Sequence, residues 1–311
     1  MKVSHRHAGL AALGIAALLT AGFAAAAPAG ASATSTARFW SGTDSNYIAL
    51  GHSTPYREPA IGGSYGGYIG MIGNWANWQH CGDRVVWSKA DSDAARTNLS
   101  RYHLGIGVGA YWFMAGPGVD PKYNGRLKEA AAWGQAQAAA ALKDIKGHQP
   151  AITYPVVFLD VELPGDAPGY TPAPDNGWNA VYTSACSGRV RVSHLSSSLD
   201  RADFNGFADY LTAHSSYKAG VYSAPGIWAQ IFGTGTNASI PNTYEWTYTG
   251  DSASLAHHPS GWCLSGTSTC AQFFGGVTAA KKYALMWQWS GGGGTYNGYG
   301  DFDQIDGSRT P

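Results

Sequence analysis

Two hydrophobic rhythms alternate along this chain. Short apolar runs at 39–44, 68–73, 105–113, 154–165, 219–223, 244–249 and 283–289 have the length and the β-branched and aromatic content of strands buried on both faces. Between them the apolar positions recur at helical spacing: Ala95, Leu99 and Tyr102 behind Asp91 and Ser92, read as a capping pair; then Leu127, Ala131, Gly134, Ala138, Leu142 and Ile145 on one Ala-rich face. Phe204, Phe207, Ala208 and Leu211 mark a further helix, and Ile227, Trp228, Ile231 and Phe232 another, with Pro225 at its first position. Strand and helix signals that alternate over the whole length predict a parallel α/β fold. The size predicts a single (β/α) barrel, TIM-like, with irregular or incomplete forms allowed and a long loop after the fourth strand.

Two connections break the alternation. The first, 163–198, is rich in Pro, Gly, Asp and Ser and carries Tyr170, Trp178, Tyr182 and Cys186. A loop of that length with aromatics is expected to be an ordered lid or a sugar platform, with Trp178 the sharpest candidate for stacking on a ring. The second, 251–276, is expected to be mainly structural.

Residues 1–31 read as a signal peptide: Lys2 and Arg6, an Ala/Leu/Gly/Ile run, then Ala29-Gly30-Ala31 as a small-x-small cleavage pattern. That leaves 32–311 as one domain, expected to be secreted, extracellular or wall-associated, monomeric, and off the membrane after cleavage. Twenty basic residues balance twenty acidic ones, so no basic field recruits nucleic acid or an anionic membrane. The 12 Trp and 18 Tyr in a chain with 13% charged residues suit stacking on sugar rings. An exported chain with four cysteines that lack C-x-x-C spacing predicts two disulfides and no metal site. Three pairings exist; Cys263 with Cys270 across a short loop is favoured, leaving Cys81 with Cys186.

Candidate chemistry concentrates in Tyr154-Pro-Val-Val-Phe-Leu-Asp-Val-Glu-Leu-Pro-Gly165. Asp160 and Glu162 stand two apart at the end of an apolar strand, so they project from one face. Like charges held that close resist ionising together and one pKa rises, which is how a protein keeps one carboxyl protonated as an acid beside an anionic partner. Glycoside hydrolysis uses that division of labour. Competing motifs are weaker. Gly62-Gly63-Ser64-Tyr65-Gly66 has the letters of a nucleophile elbow but precedes a strand where a helix is required. Gly291 to Gly294 lacks the Lys-Ser/Thr of a phosphate loop. Asp301, Asp303 and Asp306 lack the glycine and terminal Glu of an EF-hand. No cofactor is expected.

Taken together, Gly42-Thr43-Asp44-Ser45, Gly109-Ala110-Tyr111-Trp112-Phe113, Val157-Phe158-Leu159-Asp160-Val161-Glu162, Gly220-Val221-Tyr222-Ser223, Trp287-Gln288-Trp289 and Gly300-Asp301-Phe302-Asp303 resemble the family 25 glycoside hydrolases. These are secreted muramidases that cleave the β-1,4 bond between N-acetylmuramic acid and N-acetylglucosamine in peptidoglycan on an irregular β/α barrel. The resemblance implies Glu162 as the acid that protonates the leaving oxygen and Asp160 as the neighbouring carboxylate. It implies Asp44 and Asp303 as first- and last-strand acids ringing the cleft, Tyr111 and Tyr222 near the sugar, and Trp287 as a stacking residue. It departs from the family pattern at Ile72-Gly73-Asn74-Trp75 and at Trp112, which replaces a His. The function expected is therefore a peptidoglycan hydrolase; a non-catalytic wall-glycan-binding barrel and a hydrolase of another amino-sugar polymer are the alternatives.

Overall fold

The computed structural model describes residues 39–45, 65–81, 86–102, 107–163, 176–186, 189–235, 239–248, 284–290, 301–306 and 311. The predicted leader lies outside them; the barrel belongs to the compact unit Ala37–Pro311. The described strands are β1 (Phe39–Ser45), β2 (Tyr65–Asn74), β3 (Gly107–Phe113), β4 (Val156–Asp160), β5 (Val181–Tyr182), β6 (Val190–Val192), β7 (Lys218–Ser223), β8 (Tyr244–Tyr248), β9 (Met286–Ser290) and β10 (Asp301–Asp306). β5 and β6 form a separate antiparallel hairpin, and the other eight close a barrel in the order β1-β10-β9-β8-β7-β4-β3-β2.

The barrel is irregular at one place. β10 runs antiparallel to both β9 and β1, while every other barrel pairing is parallel. Chain length explains this: only the Gly-rich stretch 291–300 separates β9 from β10, shorter than the dozen or more residues that a parallel crossover needs. The strand therefore returns as a hairpin arm, and its N-terminal end, Asp301, meets the C-terminal end of β1 at Asp44.

Alternation sorts the strand side chains into two layers. Ile69, Met71, Tyr111, Phe113, Val156, Phe158, Tyr222, Trp246, Met286 and Ile305 share the barrel interior. Val108, Ala110, Trp112, Val157, Leu159, Ala219 and Val221 face outward into a second layer with the helices. There they meet α3 (Leu127–Gly147), α4 (Ser197–His214) and α5 (Pro225–Phe232), preceded along the chain by α1 (Trp75–Trp78) and α2 (Lys89–Tyr102). Both faces of β2, β3, β4 and β7 are covered, as parallel strands require. α3 and α4 touch backbone to backbone: a Cβ on Gly134 would fall 1.9 Å from the Asp203 carbonyl oxygen, and one on Gly206 would fall 2.2 Å from that of Ala131. No helix among the described residues is long and apolar enough to cross a membrane.

Three readings need correction. Asp91 and Ser92 are not the cap of α2 but lie in its first turn. Ser88 is the capping residue, its hydroxyl accepting from Asp91 N at 3.3 Å while the Asp91 carboxylate accepts from Ser88 N at 2.7 Å, a reciprocal box. The apolar run 154–165 forms ladder only over Val156–Asp160, because Pro155 cannot donate and the chain leaves the sheet after Asp160. The connection 163–198 contains β5 and β6, which the Ser/Gly-rich composition concealed.

Candidate active site

In a parallel barrel the C-terminal strand ends form one rim, and here the inverted β10 adds its N-terminal end to it. Going round from β1, that end of the interior carries Asp44, Tyr111 and Phe113 on β3, Asp160 on β4, Tyr222 on β7, Trp246 on β8, Gln288 on β9 and Asp303 on β10. The ladder fixes the neighbours: Asp160 is level with Phe113 on one side and Tyr222 on the other, and Asp303 is level with Gln288 and Gly42. Five of the predicted positions, Asp44, Tyr111, Asp160, Tyr222 and Asp303, therefore meet at one end of the barrel.

Asp160 shares its face with Val156 and Phe158, both interior. Glu162 lies two residues past the ladder, half-buried, between Val161, which is fully buried in the outer layer, and Leu163, which packs against that layer. Its backbone is pinned. Val161 N donates to the Tyr222 carbonyl at 2.9 Å, and the Asn176 side-chain amide donates to the Glu162 carbonyl at 3.1 Å. Asn176 is itself held, its carbonyl accepting from Gly116 N at 3.0 Å.

Burial grades the acids. Asp303 is 1% exposed, Asp44 and Asp160 are 6% exposed, and Glu162 is half-buried. The Trp246 indole N–H donates to Asp303 Oδ1 at 2.8 Å, and Gln288 Nε2 donates to Asp44 Oδ1 at 3.5 Å. Trp246 also packs the cluster, with Tyr222 at 4.5 Å, Phe158 at 5.2 Å and Tyr111 edge-on at 6.1 Å between ring centroids. Sequence reasoning missed both Trp246 and Gln288. Alternation in the sequence offers two phases for each strand, and the pairing of β8 and β9 in the sheet selects the one that turns Trp246 and Gln288 inward.

Two candidates do not join this site. Trp178 is 0% exposed, its ring T-shaped against Phe232 at 5.8 Å in the outer layer, so no face is open to a sugar. The loop that carries it is pulled in rather than raised as a platform: Gly118 N donates to the Gly177 carbonyl at 2.9 Å, and a Cβ on Gly116 would lie 2.7 Å from Trp178 Cα. Trp287 is 2% exposed and stands between Met286 and the inward Gln288, on the opposite side of β9. Of the cysteines, Cys81 and Cys186 form a disulfide, tying the turn after α1 to the end of the β5 segment; Cys263 and Cys270 lie outside the described residues.

Two titratable groups away from this mouth carry clear shifts. Asp203 on α4 is wholly buried, which pushes its carboxyl well above the usual range, with Asp200 and then Asp120 adding repulsion. Burial lowers His148, whose Nδ1 is 2.6 Å from the Ser92 hydroxyl oxygen. Among the described residues no group of three or more His, Cys, Asp or Glu could hold a metal ion.

No protein-family model matches the chain, and no curated protein does. Solved structures with a similar course include a muramidase from Trichobolus zukalii (19% identity, TM-score 0.45, covering 87% of this chain and 95% of that one). The bacterial lysozyme from Streptomyces coelicolor is similar over 87% of this chain and 93% of its own (16% identity, TM-score 0.45). A family GH25 lysozyme from Aspergillus fumigatus is similar over 86% and 94% (16% identity, TM-score 0.46). Overlaps this loose carry no weight for function, which falls to the residues at the barrel mouth.

Proposed function

We propose that this chain is a secreted glycoside hydrolase of an amino-sugar wall polymer, cleaving the β-1,4 bond between N-acetylmuramic acid and N-acetylglucosamine in peptidoglycan. The observation that supports the reading is buried Asp160 at the C-terminal end of β4, with the half-buried Glu162 two residues further along the chain. Glu162 is the acid: it passes its proton to the leaving glycosidic oxygen as the bond to the anomeric carbon breaks. Asp160, deeper and anionic, faces the positive charge that develops on that carbon. Water completes the reaction at the anomeric carbon, directly or after the substrate's N-acetyl oxygen has closed on it. Tyr111, Tyr222, Asp44 and Asp303 complete the mouth. Export is supported by the Cys81–Cys186 disulfide, a bond that belongs to oxidising compartments.

The test is release of reducing ends from purified peptidoglycan, with chitin and soluble glycans as comparison substrates. Glu162→Gln keeps shape and hydrogen bonding but removes the transferable proton, so turnover should fall roughly a hundredfold to ten-thousandfold with substrate binding retained. Wild-type activity in that variant refutes the assignment. A parent that binds peptidoglycan and cleaves none of the substrates is instead a glycan-binding barrel.

A further inference from the structure

The reading above leaves one buried amide at the centre of the mouth without a task. Gln288 is 2% exposed, and alternation along β9 turns it into the barrel. Its two ends meet different partners: Oε1 accepts a close hydrogen bond from the Tyr222 hydroxyl, and Nε2 donates to Asp44 Oδ1 at 3.5 Å.

An amide has one accepting end and one donating end, and they cannot be exchanged without consequence. An ionised carboxylate can only accept, so Asp44 selects the NH2 end of Gln288. The carbonyl end then faces Tyr222 and takes the phenol's only proton. The Tyr222 hydroxyl then has no second hydrogen to donate. The ladder partner of Tyr222 on β4 is Asp160, the carboxylate assigned to the developing charge. Three other acids stand near this corner. Asp303, level with Gln288 on the neighbouring strand, is engaged by the Trp246 indole N–H at 2.8 Å; Asp160 lies across Tyr222 on β4, and Glu162 beyond it at the mouth.

We propose that Gln288 is a positioning residue: it gives Asp44 a donor and takes the Tyr222 proton, so that the phenol presents oxygen lone pairs to the sugar at the barrel mouth. Tyr222 thereby acts on positive charge developing at the anomeric carbon, and it does not donate to a sugar hydroxyl or N-acetyl oxygen. The inference rests on the hydrolase reading for its catalytic consequence, but the hydrogen-bond order it asserts exists without substrate.

Two measurements separate those parts. The first is the carboxyl titration of Asp44 in the full-length mature protein, followed by carbon NMR in the parent, in Gln288→Met and in Gln288→Glu. Methionine keeps the length and removes both hydrogen bonds; glutamate keeps the volume and replaces the donor by an acceptor. Loss of the donor should raise the Asp44 midpoint by about one pH unit in Gln288→Met, and by more in Gln288→Glu, where the new carboxylate also repels. An unchanged or lowered midpoint in either folded variant overturns the proposal, whether or not the protein cleaves any glycan.

The second measurement is a double-mutant cycle on the glycan the parent cleaves. Gln288→Met and Tyr222→Phe should each lower kcat by about tenfold to a hundredfold with KM changed less than about threefold, as expected for interactions made in the transition state. The double variant should lose no more than the larger single loss, because both remove one linked arrangement. Losses that multiply, or that appear in KM alone, overturn the catalytic part. No cleavage by the parent, with the Asp44 midpoint shifted as stated, leaves the positioning intact and refutes the hydrolase reading alone.

Discussion

Asn176 offers a direct test of how the long loop after β4 serves the mouth. Its side-chain amide donates to the Glu162 carbonyl, its own carbonyl accepts from Gly116, it is fully buried, and its φ is +53°. Asn176→Ala therefore does two separable things. It strips a buried carbonyl of a donor, which costs about 1–3 kcal/mol. It also places a β-carbon without Asn's local hydrogen bonding in the left-handed region, adding about 1 kcal/mol. Asn176→Gly removes the donor without that strain. The stability order by thermal unfolding should be parent, then Gly, then Ala, with Ala about 2–4 kcal/mol below the parent. Activity should follow the donor rather than the strain. An untethered Glu162 drifts from its place, and a displacement near 1 Å costs about a hundredfold in rate. Gly should therefore lose turnover as severely as Ala despite its greater stability. Full activity in folded Asn176→Gly refutes the tether.

The disulfide joins positions separated by 105 residues, so chain entropy gives it about 5 kcal/mol. Replacing Cys81 and Cys186 together by Ala should lower Tm by roughly 10–15 °C in calorimetry, and a fall below about 2 °C refutes that origin. Trp178→Ala should lose about 3–5 kcal/mol of stability as a core truncation, while Trp178→Phe should keep glycan affinity in a binding titration; a loss of affinity in folded Trp178→Phe would restore a sugar contact. Asp203 binds its proton more tightly in the folded chain, so its contribution is full below the unfolded pKa of 3.8 and is lost as pH rises toward the folded value. Asp203→Asn should match the parent near pH 4 and gain on it with rising pH by up to about 1.4 kcal/mol per unit, measured by denaturant unfolding; parallel profiles refute the burial argument.

The barrel was legible because its strands are buried on both faces. Val156 to Leu159 has to be apolar at every position, whichever layer each side chain joins, and that leaves an unbroken run that periodicity can find. The same property hid the site's finer membership. Where both faces are apolar and aromatic, composition does not say which of Trp287 and Gln288 looks inward, and the aromatic residue attracted the assignment that the amide holds. Register alone decides it, and register comes from long-range pairing of β9 with β8 and β10. Trp178 fails for a related reason. A loop rich in Pro, Gly and Ser reads as surface, yet Gly116, Gly118 and Gly177 let its backbone approach that of the neighbouring turn and carry the indole into the core. β10 was chemically ambiguous, three aspartates in six residues, until the short connection to β9 forced it to return antiparallel.

That inverted strand also bears on how the mouth divides its work. A parallel eighth strand would bring its C-terminal end to the rim; the inverted one instead brings Asp301 and Asp303, next to β1. Two acids, Asp44 and Asp303, thus come together below the rim, where like charges repel unless each receives its own donor. Gln288 supplies one and Trp246 the other. Under the proposed hydrolase function, carboxylates held in this way by fixed donors in a buried wall would need no reorganisation as positive charge develops on the sugar. Glu162 stands outside this arrangement, half-buried, with its backbone carbonyl tethered by Asn176. A group that must give up and regain a proton in each turnover needs that access to solvent, and a group whose task is to remain charged does not.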